Sequence, residues 1–372
     1  MRQPIAIGLA STLVCALLAG PALPAAAGDK KIAAYTMGAT FQTMPALRKR
    51  YGFQGDVVVI AQEGEITSRG PAAQPGEPTP KIWRWASVTK QVVAVLVMQE
   101  VATKRIDLDA PIARYLPGFK SANAATLTVR QLLRHQSGLP NPDASAPAPG
   151  EPLAFHLRGY AGSRDPLTGY CAGPVTGQAG GAWSYNNCDY IVAGALLEAV
   201  TGMPWPTLLQ ERIAKPLGLK TLAVAQPGLR DRRGAAGTPP EPDYDLSSYG
   251  TAGALMGSIY DLADFDRALM SGKLLPAAQL RELWDGRPEL GFIALGQWAF
   301  EVSIKGCSKP VRVVERRGEI GNAQVRNLLL PDRNVAVVVV NDQGPQEYGE
   351  IWQGTGLSHD LVEMVACPEE KP

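Results

Sequence analysis

Ala86-Ser87-Val88-Thr89-Lys90-Gln91 stands where a segment carrying Trp83 and Trp85 gives way to the most apolar helical stretch of the chain, Val88 to Val101. A serine and a lysine three residues apart on a helix share one face, so the amine can reach the hydroxyl. If that helix is buried, desolvation depresses the amine's pKa and makes it a base for an otherwise weak nucleophile. Alone, the Ser-x-x-Lys spacing describes an N-cap serine and a solvated lysine just as well. What the rest of the chain brings to it decides.

Working outward, a second 3.6-residue pattern runs from Asp189 to Val200, with Gly202 and Pro204 as stop signals. Thr128 with Gln131 reads as a capping box, and Ser258 with Asp261 as a second. Strand signals lie at the two ends: Asp56 to Ile60 early, then Val311 to Val314, Val325 to Leu330 and Val335 to Val340 late. Turn residues such as Pro331-Asp332-Arg333-Asn334 separate the late strands, which predicts an antiparallel meander. The expected fold class is α+β: one antiparallel sheet from both ends of the chain, flanked by helices, with a mostly helical lobe inserted over roughly residues 105–250. Three long connections, Arg69 to Pro80, Pro140 to Gly181 and Gln226 to Gly250, are dense in Gly, Pro, Ala and Asp, and loops of that length tend to be functional.

Two further elements could serve chemistry. Trp183-Ser184-Tyr185-Asn186-Asn187-Cys188-Asp189-Tyr190 precedes the second helix. A phenol beside a lysine can relay protons, and an asparagine presents a donor and an acceptor to an amide; the bland alternative is a turn capped by Asn187. Glu315-Arg316-Arg317-Gly318-Glu319-Ile320-Gly321 follows a predicted strand. A cation beside a flat glycine edge could hold a substrate carbonyl or carboxylate and offer a backbone N–H to an oxyanion; otherwise it is a charged edge that resists aggregation.

Ser-x-x-Lys, Tyr-x-Asn and cation-x-Gly in this order and spacing resemble the class C β-lactamase and penicillin-binding serine hydrolase family, with its D-alanyl-D-alanine carboxypeptidase, D-aminopeptidase and esterase relatives. The likeness runs over nearly the whole chain after residue 27, including Ile106 to Pro117, Leu132-Leu133-Arg134-His135-Gln136-Ser137-Gly138-Leu139-Pro140, Lys215 to Leu219 and Ala252 to Leu255. It implies Ser87 as nucleophile, Lys90 as its activating partner and Tyr185 as base or relay. The choice of base between Lys90 and Tyr185 stays open. It further implies that Asn187, Arg316, Gly318 and Glu319 meet the substrate, with the backbone N–H groups of Ser87 and Glu319 forming the oxyanion hole. Arg316 stands where the family usually has Lys or His, and Arg317 and Glu319 where it usually has small residues. Both departures argue against efficient β-lactam hydrolysis. The resemblance gives His135 a buried, hydrogen-bonded structural role, and the chain has no Gly-x-Ser-x-Gly elbow. Trp83, Trp85 and Trp183 flank the motifs as either cleft or core residues.

Composition narrows the rest. With 36 Lys plus Arg against 35 Asp plus Glu there is no bulk field for a nucleic acid, and no local basic patch is evident. Three scattered histidines, His135, His156 and His359, predict no metal site, and no cofactor is expected. Arg2, the apolar run Ile5 to Gly20 and Ala25-Ala26-Ala27 read as a signal peptide over residues 1–27, with one hydrolase domain over 28–372. The expected location is periplasmic or secreted, with no membrane span after cleavage; an uncleaved N-terminal anchor is the alternative, since signal and anchor differ mainly in length and flanks. Cys171, Cys188, Cys307 and Cys367 then allow three pairings, of which Cys171 with Cys188 and Cys307 with Cys367 are expected; buried free thiols are the alternative. The leading expectation is a serine hydrolase acting through an acyl-enzyme on an ester, D-amino-acid peptide or β-lactam-like amide. The alternative is a catalytically inactive module that recognises peptidoglycan fragments or a partner.

Overall fold

The computed structural model describes residues 42–61, 64–68, 81–145, 154–229 and 240–367. The signal segment, the 69–80 connection and parts of the other two long connections, 146–153 and 230–239, lie outside the described residues.

Strand β1 (Asp56–Ala61) reads DVVVIA, and the last strand of the chain, Val335–Asn341, reads VAVVVVN; both are buried at every position. An apolar run without alternation belongs to a strand covered on both faces, and these two sit side by side in the middle of the sheet. Naming the strands β2 (Gly64–Ser68), β3 (Trp83–Arg84), β4 (Ala223–Val224), β5 (Leu255–Gly257), β6 (Trp298–Val302), β7 (Val311–Ile320), β8 (Ala323–Leu330) and β9 (Val335–Asn341), the six-stranded sheet has the order β2-β1-β9-β8-β7-β6. Every neighbouring pair is antiparallel. One face, with Val57, Val59, Val337 and Val339, packs on Met44 and Leu47 of helix α1 (residues 42–51) and on the C-terminal helix. The other, with Val58, Ile60, Val338 and Val340, packs on the large core shared with the middle of the chain. The sheet is therefore built from both chain ends, as expected. A small sheet, β3-β5-β4, completes the strands.

Helix α2 (Thr89–Ala102) is buried from Thr89 through Met98, and so enters the core on all sides. Lys90 travels in with it. Helix α3 (Asn187–Thr201) starts two residues earlier than the apolar pattern and ends at Gly202, whose φ of +68° is the left-handed C-cap that glycine adopts at no steric cost. Its N-cap is Asn186, which accepts from Cys188 N at 2.8 Å, so Asn187 is the first helical residue and its side chain is released from capping. The Thr128–Gln131 capping box is present in both directions. Only half of the second forms at helix α4 (Ile259–Met270): Ser258 accepts from Asp261 N, while the Asp261 carboxylate accepts instead from Thr221 N and Oγ1 and from Leu222 N.

The meander of β7, β8 and β9 is longer than its sequence pattern. Strand β7 runs ten residues to Ile320, so Arg316 to Glu319 lie inside a strand rather than beyond its end. Its pairing with β8 continues to Ile320↔Ala323, whereas pairing with β6 stops at Trp298↔Glu315. From Arg316 onward, the β6-side edge of β7 has no strand partner among the described residues. Both expected disulfides are present: Cys171–Cys188 ties the loop ahead of Tyr185 to the first turn of α3, and Cys307–Cys367 joins the β6–β7 connection to the end of helix α5 (Leu357–Ala366). Among the described residues, no single helix is long and apolar enough to cross a membrane.

Candidate active site

Ser87 is the half-buried middle residue of a single 3-10 turn, Ala86–Val88, between β3 and α2. Ala86 holds φ at +46°, a left-handed conformation that costs a residue with a Cβ roughly 1–2 kcal/mol. Strand β7 passes so close that a Cβ on Gly318 would stand 2.5 Å from Trp85 O and 3.1 Å from Ser87 N. Only glycine lets the free edge of β7 approach the backbone nitrogen of the Ser87 turn, which is the placement an oxyanion-binding pair of N–H groups needs.

Lys90 is fully buried one helical turn behind Ser87. Its Nζ lies 2.6 Å from Asn187 Oδ1, 2.7 Å from Ala252 O, 2.8 Å from Tyr185 OH and 3.1 Å from Ser87 Oγ. Burial holds the amine well below its ordinary value, and the Arg316 charge pushes the same way. A neutral amine has two protons and one lone pair. The two carbonyl oxygens accept the protons, which leaves the lone pair to Ser87 Oγ and Tyr185 OH. Those two hydroxyls are themselves 2.5 Å apart. Burial raises the Tyr185 phenol above its ordinary value against the lowering pull of Arg316 and Ser87, so it stays protonated at neutral pH and can pass a proton on.

Opposite, Arg316 is completely buried. Its Nε donates to Ser87 O at 2.9 Å and its Nη2 to Tyr185 OH at 3.4 Å, while Nη1 is buried with no hydrogen-bond partner among the described residues. The guanidinium lies over the rings of Tyr185 and Trp298 at 5.5 and 5.4 Å. Alternation along β7 sends the next residue the other way. Arg317 is clamped bidentately by Glu315 at 2.8 and 3.0 Å, paired with Glu350, and set over Trp298 and Trp352. It lines the cleft with its charge already matched. Glu319 is exposed and accepts from Gln324 Nε2 at 3.1 Å.

Every residue the sequence analysis singled out for the site except Lys90 lines one cleft of about 450 Å³: Ser87, Tyr185, Asn187, Arg316, Gly318 and Glu319. Lys90 sits just beneath it. Sequence reading missed Asp143, Tyr244, Tyr249 and Trp298, which line the same cleft. Asp143 and the two tyrosines come from long connections whose course has no periodic signal; Trp298 belongs to the short strand β6, which carried no strand signal strong enough to name.

His135 is buried beneath Tyr185, its Nδ1 2.9 Å from Asp189 Oδ2, with ring centroids of His135 and Tyr185 4.9 Å apart. Burial pushes the imidazole well below and the Asp189 carboxyl well above their ordinary values, so each is driven toward its neutral form. Trp83 and Trp85 belong to the core, while Trp183 is partly exposed beside Trp298.

A family profile described as beta-lactamase matches residues 40–355. The chain belongs to the beta-lactamase family. Within this family of serine hydrolases it is 30% identical over 190 residues to an esterase, EstB, of Burkholderia gladioli, covering 47% of this chain and 48% of that one. It is 28% identical over 252 residues to penicillin-binding protein 4 of Amycolatopsis lactamdurans, covering 62% and 63%. The matched stretch spans less than two thirds of either relative. Among solved structures, a D-stereospecific amidohydrolase from Streptomyces sp. superposes with a TM-score of 0.67 at 24% identity over 89% of this chain and 98% of that one. A beta-lactamase/D-alanine carboxypeptidase from Yersinia pestis does so at 0.69 and 19% over 91% and 99%. At these identities the likeness establishes the shared α+β fold.

Proposed function

We propose that the protein is a secreted or periplasmic serine hydrolase that works through an acyl-enzyme on an ester or a D-amino-acid-type amide. The observation that carries this reading is the placement of the Lys90 amine: buried, held well below its ordinary pKa by that burial, and within 3.1 Å of Asn187 Oδ1, Ala252 O, Tyr185 OH and Ser87 Oγ. Ser87 Oγ attacks the substrate carbonyl as its proton passes to Lys90 Nζ, directly or through Tyr185. The Ser87 and Glu319 N–H groups receive the oxyanion. Individual donors of this kind can be worth roughly 2.7–4 kcal/mol of barrier. As the tetrahedral centre collapses, the proton leaves through Tyr185 to the departing alcohol or amine, and the C–O or C–N bond breaks. Water then enters along the same path and attacks the acyl carbon as its proton passes through Tyr185 to Lys90; as the bond from that carbon to Ser87 Oγ breaks, Lys90 returns the proton to Ser87 Oγ, and the acid leaves. The geometry favours Lys90 as base and Tyr185 as relay, because the amine is the group that burial drives toward neutrality and the phenol the one it keeps protonated. The N-terminal signal pattern and the paired cysteines support an oxidising compartment.

Release of p-nitrophenol from p-nitrophenyl acetate, followed from the first milliseconds, tests the reading. A burst equal to the enzyme concentration and steady turnover are expected, both abolished in Ser87→Ala. Equal behaviour of the two proteins would refute the acyl-enzyme and leave a reversible binding module.

A further inference from the structure

An asparagine amide has nearly the same shape either way round, but one end accepts and the other donates. The two ends of Asn187 meet different groups. Its Oδ1 accepts from Lys90 Nζ at 2.6 Å, with Tyr185 OH at 3.4 Å. Its Nδ2 donates to both carboxylate oxygens of Asp143, at 3.0 Å each.

Which way round the amide sits decides what Lys90 can do. With Oδ1 toward Nζ, the neutral amine gives a hydrogen bond to the amide and its lone pair remains for the hydroxyls of Tyr185, 2.8 Å away, and Ser87, 3.1 Å away. Turned round, Nδ2 would donate to that lone pair and compete with the serine proton for it. Lys90 alone does not choose, since a neutral amine both donates and accepts. Asp143 does, because an ionised carboxylate only accepts. Its two oxygens keep the NH₂ end of Asn187 on their side and so turn Oδ1 toward the lysine.

The carboxylate is itself held in place. Asp143 lies in the single turn Pro142–Ala144, where Asn141 Oδ1 accepts from its backbone N–H at 3.3 Å. The same Asn141 side chain accepts from Asn187 N at 3.3 Å and donates to Tyr185 O at 3.1 Å, and Tyr170 OH donates to Asn141 O at 3.0 Å. One asparagine thus pins the turn that bears Asp143 to the segment that bears Tyr185 and Asn187. Beside Tyr170, the Cys171–Cys188 disulfide ties the same connection to the first turn of α3.

We propose that Asp143 is a positioning residue for the reaction: its carboxylate fixes which end of the Asn187 amide meets Lys90 and thereby leaves the amine's lone pair to the Ser87 and Tyr185 hydroxyls. This rests on the acyl-enzyme reading above and adds a residue that acts through Asn187. Charge and orientation pull in opposite directions here. The negative charge of Asp143 favours the protonated amine, against burial and Arg316, while the orientation it imposes favours proton transfer. The other titratable groups around the amine are Tyr185, Tyr190, Asp189, His135, His156 and Arg316, and the variants below keep them all.

The test follows the p-nitrophenol burst from p-nitrophenyl acetate across pH and substrate concentration. In Asp143→Asn the saturating acylation rate constant on its high-pH plateau is expected to fall about tenfold, the low end for a hydrogen bond to a charged group. The half-saturating concentration should not change. The acid limb should move to lower pH, because both the lost charge and a donating Nδ2 hold Lys90 neutral. Asp143→Glu should recover part of the plateau. In an Asn187→Ala background, Asp143→Asn should alter the plateau by no more than about twofold, since the group it acts through is gone. Thermal unfolding checks that each variant is folded. An unchanged plateau, an acid limb that stays in place, a change confined to the half-saturating concentration, or a full tenfold loss in the Asn187→Ala background would overturn the assignment. A burst undiminished in Ser87→Ala would overturn the acyl-enzyme reading itself.

Discussion

Two buried basic side chains face each other across Ser87, and they solve burial differently. Lys90, on the helical wall, has four oxygens within 3.1 Å, and neither of its closest two belongs to a carboxylate. Arg316, on the strand wall, satisfies two nitrogens with Ser87 O and Tyr185 OH and leaves a third without a partner. A lysine can escape the cost of a buried charge by releasing its proton; an arginine keeps its charge even where burial lowers its pKa, as it does here. The permanent positive charge of the cleft thus belongs to the strand wall, and its field helps keep the helical wall's amine neutral and basic.

Breaking the helical side should have the largest effect. Lys90→Met removes the proposed base and is expected to lower the acylation rate by about 10³-fold, the middle of the range for general-base contributions. A burst that keeps its wild-type rate constant would contradict this.

Removing the strand-side charge should cost less but say more. Arg316→Met takes away a donor and a like charge beside Lys90. Acylation at neutral pH should fall by about 10²-fold, and the acid limb of the kcat/KM profile should move to higher pH, because the amine holds its proton more tightly once the neighbouring charge is gone. Arg316→Lys, which can itself shed a proton, is expected to lie between. An acid limb that stays in place in Arg316→Met would show that burial alone sets the basicity of Lys90.

How much of this contrast the sequence could carry differs from wall to wall. The Ser87–Lys90 pair is local, so helical spacing alone put amine and hydroxyl on one face. Helix α3 and the strands at both chain ends were legible for the same reason: periodicity and turn chemistry are short-range signals, whereas the cysteine pairs, one of them 60 residues apart, were one choice among three. The strand wall was read less well. Glu315-Arg316-Arg317 looks like an exposed edge because charges in a strand normally face solvent. Two of them are instead buried, Arg316 against Tyr185 and Glu315 against Arg317, through contacts set by the register of β7 and the early end of β6. Those contacts are long-range and leave no periodic trace. The order of the three motifs pointed to their convergence only through family resemblance. Asp143 and His156, in a long connection, had neither signal.

A third buried base extends the comparison at the smallest scale. His156 is pushed down to about 3 from an ordinary value of 6.5. The unfolded chain therefore binds a proton that the folded protein refuses, and stability is lost as pH falls from 6.5 toward 3, by up to about 1.4 kcal/mol per pH unit for this one group. Denaturant titrations of wild type and His156→Phe at pH 7 and pH 4.5 should show a smaller acid loss in the variant. An identical loss in both would place the acid sensitivity elsewhere.

The central claim, that Lys90 is a neutral amine in the folded enzyme, is open to direct titration. In protein labelled with ¹³C at lysine Cε, one resonance is expected to titrate well below the others, which stay near the ordinary lysine value, and that resonance should be missing from Lys90→Met. A spectrum in which Lys90 titrates together with the remaining lysines would contradict the account.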